Sequence, residues 1–272
     1  MGVKRIVGSL VAAGAAGAAA WLASRQVGAA KPGGAELWER KNFRGSTVTL
    51  AAGPAVAAGA AAGIAVAPGL PARVRTAGVA AAVAVGAVGL YDDLFGSTAS
   101  KGLRGHLSAL QSGEVTSGVV KIGVIGAAGV IGGALVSDNV VDAAIGGAAV
   151  AGHANLLNLL DLRPGRANKV VLLHTPFVVG GPAAPVGAAA VGASAATLAD
   201  DLGERTMLGD AGANTLGALL GLALVAREGR AARLAHLAVV TGLTLASEKV
   251  SFTKVIERTP VLRELDGLGR LS

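Results

Sequence analysis

Asp92 and Asp93, in the stretch Gly89-Leu-Tyr-Asp-Asp-Leu-Phe-Gly96, close an apolar run that begins at Val74. A charged side chain inside bilayer hydrocarbon costs at least a few kcal/mol, so such a pair belongs at a membrane rim or in a polar cavity. Two adjacent like charges also repel unless something neutralises them. Mg2+ does this with one or two carboxylates, completing its shell with water and phosphate oxygens. A plain helix stop at the water boundary is the alternative. Two further polar clusters at apolar-run ends, on the same expected side, tip the reading towards chemistry. In Asn155-Leu-Leu-Asn158-Leu-Leu-Asp161 the spacing of three keeps the polar groups near one helical face. There they could hold sugar hydroxyls, phosphate or metal-bound water, or simply bond helix to helix. In Asp200-Asp-Leu-Gly-Glu-Arg-Thr-Met-Leu-Gly209-Asp210-Ala-Gly212-Ala-Asn214, two glycines flank Asp210 and allow close backbone approach to a ligand. Asp210 also precedes an expected helix, whose free N–H groups favour phosphate, although a capping Asp reads the same way. With basic residues beside each cluster, the chemistry is that of a phosphorylated substrate handled with Mg2+ at a membrane surface. An ion or proton pathway would put its acids in mid-membrane, where this sequence has few.

The elements that must position these groups are apolar helices. The chain has 272 residues, 52% hydrophobic and 15% charged, with mean hydropathy +0.60. Soluble domains carry about 25% charged residues. Segregation of the charges predicts an all-α polytopic membrane protein with about nine transmembrane helices: 6–23, 47–67, 74–90, 117–136, 140–157, 170–180, 183–198, 212–226 and 234–247. Residues 1–248 form the transmembrane domain with its active-site loops, and 249–272 a polar cytoplasmic tail. Most of the 24 Lys and Arg fall on the side of the acidic clusters, which makes that side cytoplasmic and the N-terminus external. Arg227–Arg233 is a local exception. The first run could also be read as a cleaved signal peptide, but the basic stretch from Arg25 to Arg44 outweighs Lys4 and Arg5 and favours a retained helix. The net charge of +7 is the positive-inside signature rather than a nucleic-acid footprint, because aromatics are only 3%. The absence of cysteine excludes thiolate chemistry.

Glycine and alanine dominate the expected helices and let backbones approach closely in lipid. The run Lys121-Ile-Gly-Val-Ile-Gly-Ala-Ala-Gly-Val-Ile-Gly-Gly imitates a dinucleotide-binding fingerprint, but Gly123, Gly126 and Gly129 lie inside an unbroken apolar segment with no preceding strand. The four histidines, His106, His153, His174 and His236, are scattered, with no pair at ligand spacing.

The motifs GLYDDLFGS, NLLNLLDLRPGRA and MLGDAGANTLG, in this order, resemble the polyprenyl-phosphate N-acetylhexosamine-1-phosphate transferases, the MraY/WecA-like family. The resemblance runs from about Asn42 to Phe252. It implies that a lipid phosphate attacks a UDP-sugar, UMP leaves, and Mg2+ is required, in cell-envelope and peptidoglycan synthesis at the plasma membrane. It further implies Asp92 as the base or steering group, Asp93 as its partner, and Asp210 as the main metal ligand beside both. Asn155, Asn158 and Asp161 would line the nucleotide-sugar side with Gly209 and Gly212, and Lys101 would meet a phosphate. The resemblance leaves room for a homodimer. The departures are Pro164 in place of the family's second loop Asp, Ala213-Asn214 after the metal Asp, and no late His-rich loop. That loop's place holds Lys249, Lys254 and Arg258. Two other readings stand beside the enzyme: a non-catalytic relative that binds lipid phosphate or scaffolds envelope assembly, and a transporter, against which the absence of an inverted repeat counts.

Overall fold

The computed structural model describes residues 2–96, 111–113 and 115–271. They are mostly helical: α1 (Val3–Ala30), α2 (Ala35–Trp38), β1 (Glu39–Lys41), β2 (Thr47–Thr49), α3 (Ala52–Val66), α4 (Ala72–Phe95), α5 (Ser117–Leu135), α6 (Val140–Leu160), α7 (Arg166–Leu173), α8 (Thr175–Val178), α9 (Ala184–Leu202), α10 (Gly209–Val225), α11 (Arg230–Ser247), α12 (Phe252–Arg258) and α13 (Pro260–Gly267). The all-α expectation holds apart from one antiparallel hairpin, in which Arg40 faces Val48.

Among the described residues, four helices, α1, α4, α5 and α6, are long and apolar enough to cross a membrane. This is consistent with a membrane protein but does not fit about nine spans. The other expected spans fail for separate reasons. Thr47–Thr49 is a strand, so α3 has only 15 residues, and Pro54 falls in its first turn, where a missing N–H costs nothing. The 170–180 run breaks into α7 and α8, with Pro176 in the short second piece. The helix α9 extends to Leu202 and so carries Asp200 and Asp201 in its last turn. α10 has 17 residues, and α11 begins with Arg230 and Arg233.

Small residues set the packing. Ala12, Ala16 and Ala20 of α1 lie at a spacing of four against Gly59 and Gly63 of α3, and a Cβ on Gly59 would meet that of Ala20 at 2.7 Å. Glycine at these two positions therefore fixes the α1–α3 distance, as small-xxx-small seams do in lipid. The helix α10 is buried along almost its whole length, and no charged residue follows Asp210 within it. A helix apolar on all sides belongs at the centre of a bundle, and α3, α4, α6 and α9 pack around this one.

The two ends of the bundle are chemically distinct. The end of α4, the start of α5, the end of α6, the end of α9 and the start of α10 meet at one end, which the hairpin covers. The Val3 end of α1 lies at the other, where Lys4 packs on Gly69. The C-terminal tail returns to the first end, so the termini are on opposite ends. There Arg166, only 3% exposed, donates from Nε and Nη2 to Asp266 at 2.8 and 2.9 Å, and Arg270 donates to the Pro164 carbonyl.

Candidate active site at one end of the bundle

Asp92 and Asp93 sit in the last turn of α4 rather than beyond it. Successive residues on a helix point about 100° apart, and the two carboxylates go to different partners. Asp93 accepts from the backbone N–H groups of Asp210 and Ala211, both at 2.9 Å. It thus caps α10 from a neighbouring helix, satisfying donors that the first turn of a helix leaves free. Gly209 makes this possible. Its φ is +58°, and a Cβ there would lie 2.8 Å from the Asp93 carboxylate oxygens. Gly212 is a packing glycine, buried against Gly53 of α3.

Asp92 instead faces Lys121, on the first turns of α5, with Nζ 2.5 Å from Oδ2. The same ammonium pairs with Asp210 Oδ2. Two carboxylates from different helices therefore share one cation, and all three side chains are largely shielded from solvent. Lys121 was missed in the sequence because it sat at the head of a misleading glycine series. The available signal was a single cation inside an otherwise apolar run, which the cost of burial makes improbable without partners.

Asp161, just past the end of α6, is half-buried and connects this centre to an adjoining cavity of about 220 Å³. Burial pushes its carboxyl well above the usual carboxylate range; the Asp201, Asp93 and Asp210 carboxylates add to the rise and the Gly209 amide opposes it. Asp201, at the end of α9, is pushed up to about 6 by burial, against the Gly165 amide and the Asn168 side chain, whose Nδ2 donates to Oδ2 at 2.9 Å. The cavity is also lined by Lys41, Phe43, Arg163 and Thr206. Arg163 lies over the Phe43 ring at 4.5 Å, and Thr206 Oγ1 is buried with no hydrogen-bond partner among the described residues. The hairpin positions this wall: Thr49 bonds in parallel with Arg205 and Met207, and Arg40 donates to the Asp93 carbonyl at 2.5 Å.

The Asn155-x-x-Asn158-x-x-Asp161 series divides. Asn155 donates to Thr244 Oγ1 of α11 at 3.2 Å, a helix–helix bond. Asn158 is half-buried, and only Asp161 reaches the cavity. Lys101 and His106 lie outside the described residues. The histidines are not scattered in space. His153, His174 and His236, remote in sequence, gather inside the bundle, with His153 Nδ1 3.0 Å from His236 Nε2 and the rings of His153 and His174 edge-to-face at 5.2 Å. No sequence spacing encodes this, because each comes from a different element. Arg227, Arg230 and Arg233, the exception to the charge asymmetry, all have local partners: the Phe177 carbonyl, Asp142, and the Val225, Glu228 and Asp142 carbonyls. Among the described residues, no group of three or more His, Asp or Glu side chains could hold a metal ion by itself.

No family model matches the chain, and no curated protein matches it in sequence.

Proposed function

We propose that this chain is a Mg2+-dependent phosphoglycosyl transferase, moving a sugar-1-phosphate from a nucleotide sugar, a UDP-sugar by the motif resemblance, to a polyprenyl phosphate at the cytoplasmic face of the plasma membrane. The observation that carries the reading is the pair of carboxylates, Asp92 and Asp210, close enough to share one ammonium. A carboxylate pair that one small cation can bridge fits Mg2+, which completes its shell with phosphate oxygens and water. Asp92 and Asp210 would hold it, without a third protein ligand, and when bound it would neutralise phosphate oxygens and steady the leaving nucleotide.

The chain's own groups supply the rest. Lys121 offers a compact charge to the acceptor phosphate. Asp92 takes the proton of that phosphate or steers it. Asp93 fixes the start of α10, so that Asp210 stands at a constant distance from Asp92. Asp161, Arg163 and Thr206 present acceptors and donors to the donor's sugar and nucleotide in the cavity. In the transfer, an oxygen of the lipid phosphate forms a bond to the sugar-bearing phosphorus, the diphosphate P–O bond breaks, and UMP carries away the electron pair. The basic tail docks at this same end, and with the charge asymmetry this supports a cytoplasmic C-terminus and an external N-terminus.

The decisive experiment incubates the purified full chain with labelled polyprenyl phosphate, Mg2+ and a panel of nucleotide sugars. Lipid-linked sugar diphosphate and stoichiometric UMP are expected, and both should vanish in Asp92→Asn. A second reading, a non-catalytic relative that binds lipid phosphate, is favoured by the fact that Lys121 already neutralises both carboxylates. Mg2+-independent binding of the lipid with no transfer from any donor would decide for it.

A further inference from the structure

The three gathered histidines play no part in the proposed transfer, and they lead away from it. His236 Nδ1 lies 3.2 Å from Glu228 Oε2, in the loop between α10 and α11 at the end of the bundle opposite the acidic site. An ionised carboxylate only accepts, so His236 donates from Nδ1. A neutral imidazole then has a lone pair on Nε2, and the 3.0 Å contact to His153 is filled by the Nδ1–H of His153. His153 is left with a lone pair on Nε2. Its ring meets that of His174, whose Nδ1–H is taken by the Val170 carbonyl at 2.7 Å. His153 is 6% exposed, and Gly221 of α10 leaves room for it, a Cβ there falling 3.1 Å from that of His153.

We propose that Glu228, His236 and His153 form a proton relay between the loop after α10 and the interior of the bundle. A proton bound at His153 Nε2 makes that ring an imidazolium. The His153 Nδ1–H bond then breaks as His236 Nε2–H forms, and the His236 Nδ1–H bond breaks as Glu228 Oε2–H forms. One proton has moved to the carboxylate, both rings are neutral in the opposite tautomer, and the hydronium that protonates His153 Nε2, leaving as water, is the one co-reactant. Buried ionisable groups within membrane helices recur in such pathways because they are too costly to keep otherwise. The charged groups around the relay are already engaged. From α6, Asp142 pairs with Arg230 of α11; Arg233 of α11 bonds backbone carbonyls; Arg227 bonds the Phe177 carbonyl; and α7 presents His174. Between Asp210 and Val225, α10 has no titratable residue.

The test uses the full chain in phosphatidylcholine bilayers with 15N-labelled histidine. At neutral pH, His153 and His236 should both appear as the Nδ1–H tautomer, the minor one in free histidine, with a scalar coupling across the His153–His236 hydrogen bond. Infrared difference spectra on acidification should show a carboxylic C=O band that is lost in Glu228→Gln, and after a pH jump that band should grow in more slowly in His153→Asn although that residue does not touch Glu228. Nε2–H tautomers without the coupling in the unmodified protein would overturn the proposal, whatever the variants do. So would a rate of growth unchanged in His153→Asn, which would make the chain a static strut. Displacement of both ring protons by stoichiometric Zn2+ would also overturn it, in favour of a metal site.

Discussion

The acidic end of this bundle and its histidine-lined interior bury polar groups by opposite means. At the acidic end, Asp92, Asp210 and Lys121 come together as charges, cancelled by one another and set beside a polar cavity. In the histidine region, the proposed relay links imidazole rings by N–H donation, with His153 buried and Gly221 of α10 packed against it, and Glu228 is its one acidic member. Burying an ion is tolerable only with a partner and good hydrogen bonds, whereas a neutral ring needs only its N–H and lone pair satisfied. A cluster of two carboxylates and one cation can exchange that cation for an incoming one, so it suits a metal ion and, through it, a phosphate. A chain of neutral rings can only reassign protons.

The comparison breaks most sharply in activity. Asp92→Asn and Asp210→Asn should each lower transfer by on the order of a hundredfold or more, the scale of losing a positioned acid or base, with membrane insertion intact. His236→Gln should leave transfer unchanged. Equal losses from both ends, in the labelled-lipid assay, would mean that the two regions form one machine.

The next effect is on stability. Among the described residues, Arg166 and Arg233 are the two buried guanidiniums, one at each end. Arg166→Met leaves Asp266 with Arg270 as its remaining partner and should cost about 3 kcal/mol, as breaking a buried pair does. Arg233→Met leaves carbonyls at the end of α10 unmet and should cost about 2 kcal/mol, because those acceptors are neutral. Denaturant or thermal unfolding in detergent measures both, and a reversed order would show that the carbonyl cage is the stronger.

Much of this was legible in the sequence, and what was not has a physical cause. The acidic residues, their order and their placement at apolar-run ends were readable because burial costs forbid them elsewhere, and the structure brings Asp92, Asp93, Asp161 and Asp210 to one end. The division of labour between Asp92 and Asp93 was not readable, since it depends on which way each side of a helical turn faces. Lys121 and the histidine chain were hidden for the same reason: their partners are 29 to 89 residues away in sequence. The number of spans was overread because apolar composition alone does not reveal that Thr47–Thr49 would pair as a strand or that 170–180 would break.

A smaller effect comes from pH at the acidic end. Asp266 is partly desolvated, which raises its carboxyl, but the Arg166 and Arg270 hydrogen bonds prevail and hold it below the usual range. A carboxyl lowered in the folded state adds stability that is full above its unfolded value, about 3.9, and is lost as pH falls through the folded one. The tail should therefore stay docked at neutral pH and loosen only below about pH 4. Hydrogen exchange of α13 against pH measures this. In Asp266→Asn the acid-dependent step should disappear, and exchange should be faster throughout.

The smallest effect concerns the outer face of the tail. Lys254 and Arg258 are exposed on α12, four residues apart and so on one face. Neither can take the part of a neutral imidazole, but both can neutralise phosphate. A basic residue near an anionic leaflet contributes about 1 kcal/mol, roughly fivefold in affinity per residue. The double variant Lys254→Ala, Arg258→Ala should thus weaken tail binding to phosphatidylglycerol vesicles by about that factor for each site at low salt. The difference should shrink as ionic strength rises and the Debye length falls to about 8 Å at 0.15 M. A loss of affinity for the soluble nucleotide sugar, with vesicle binding unchanged, would move these residues from the membrane to the donor. A changed topology with both affinities intact would leave them as anchors of orientation. Either outcome would set the tail apart from the Asp92–Lys121–Asp210 centre, whose charges act by close contact and should respond far less to salt.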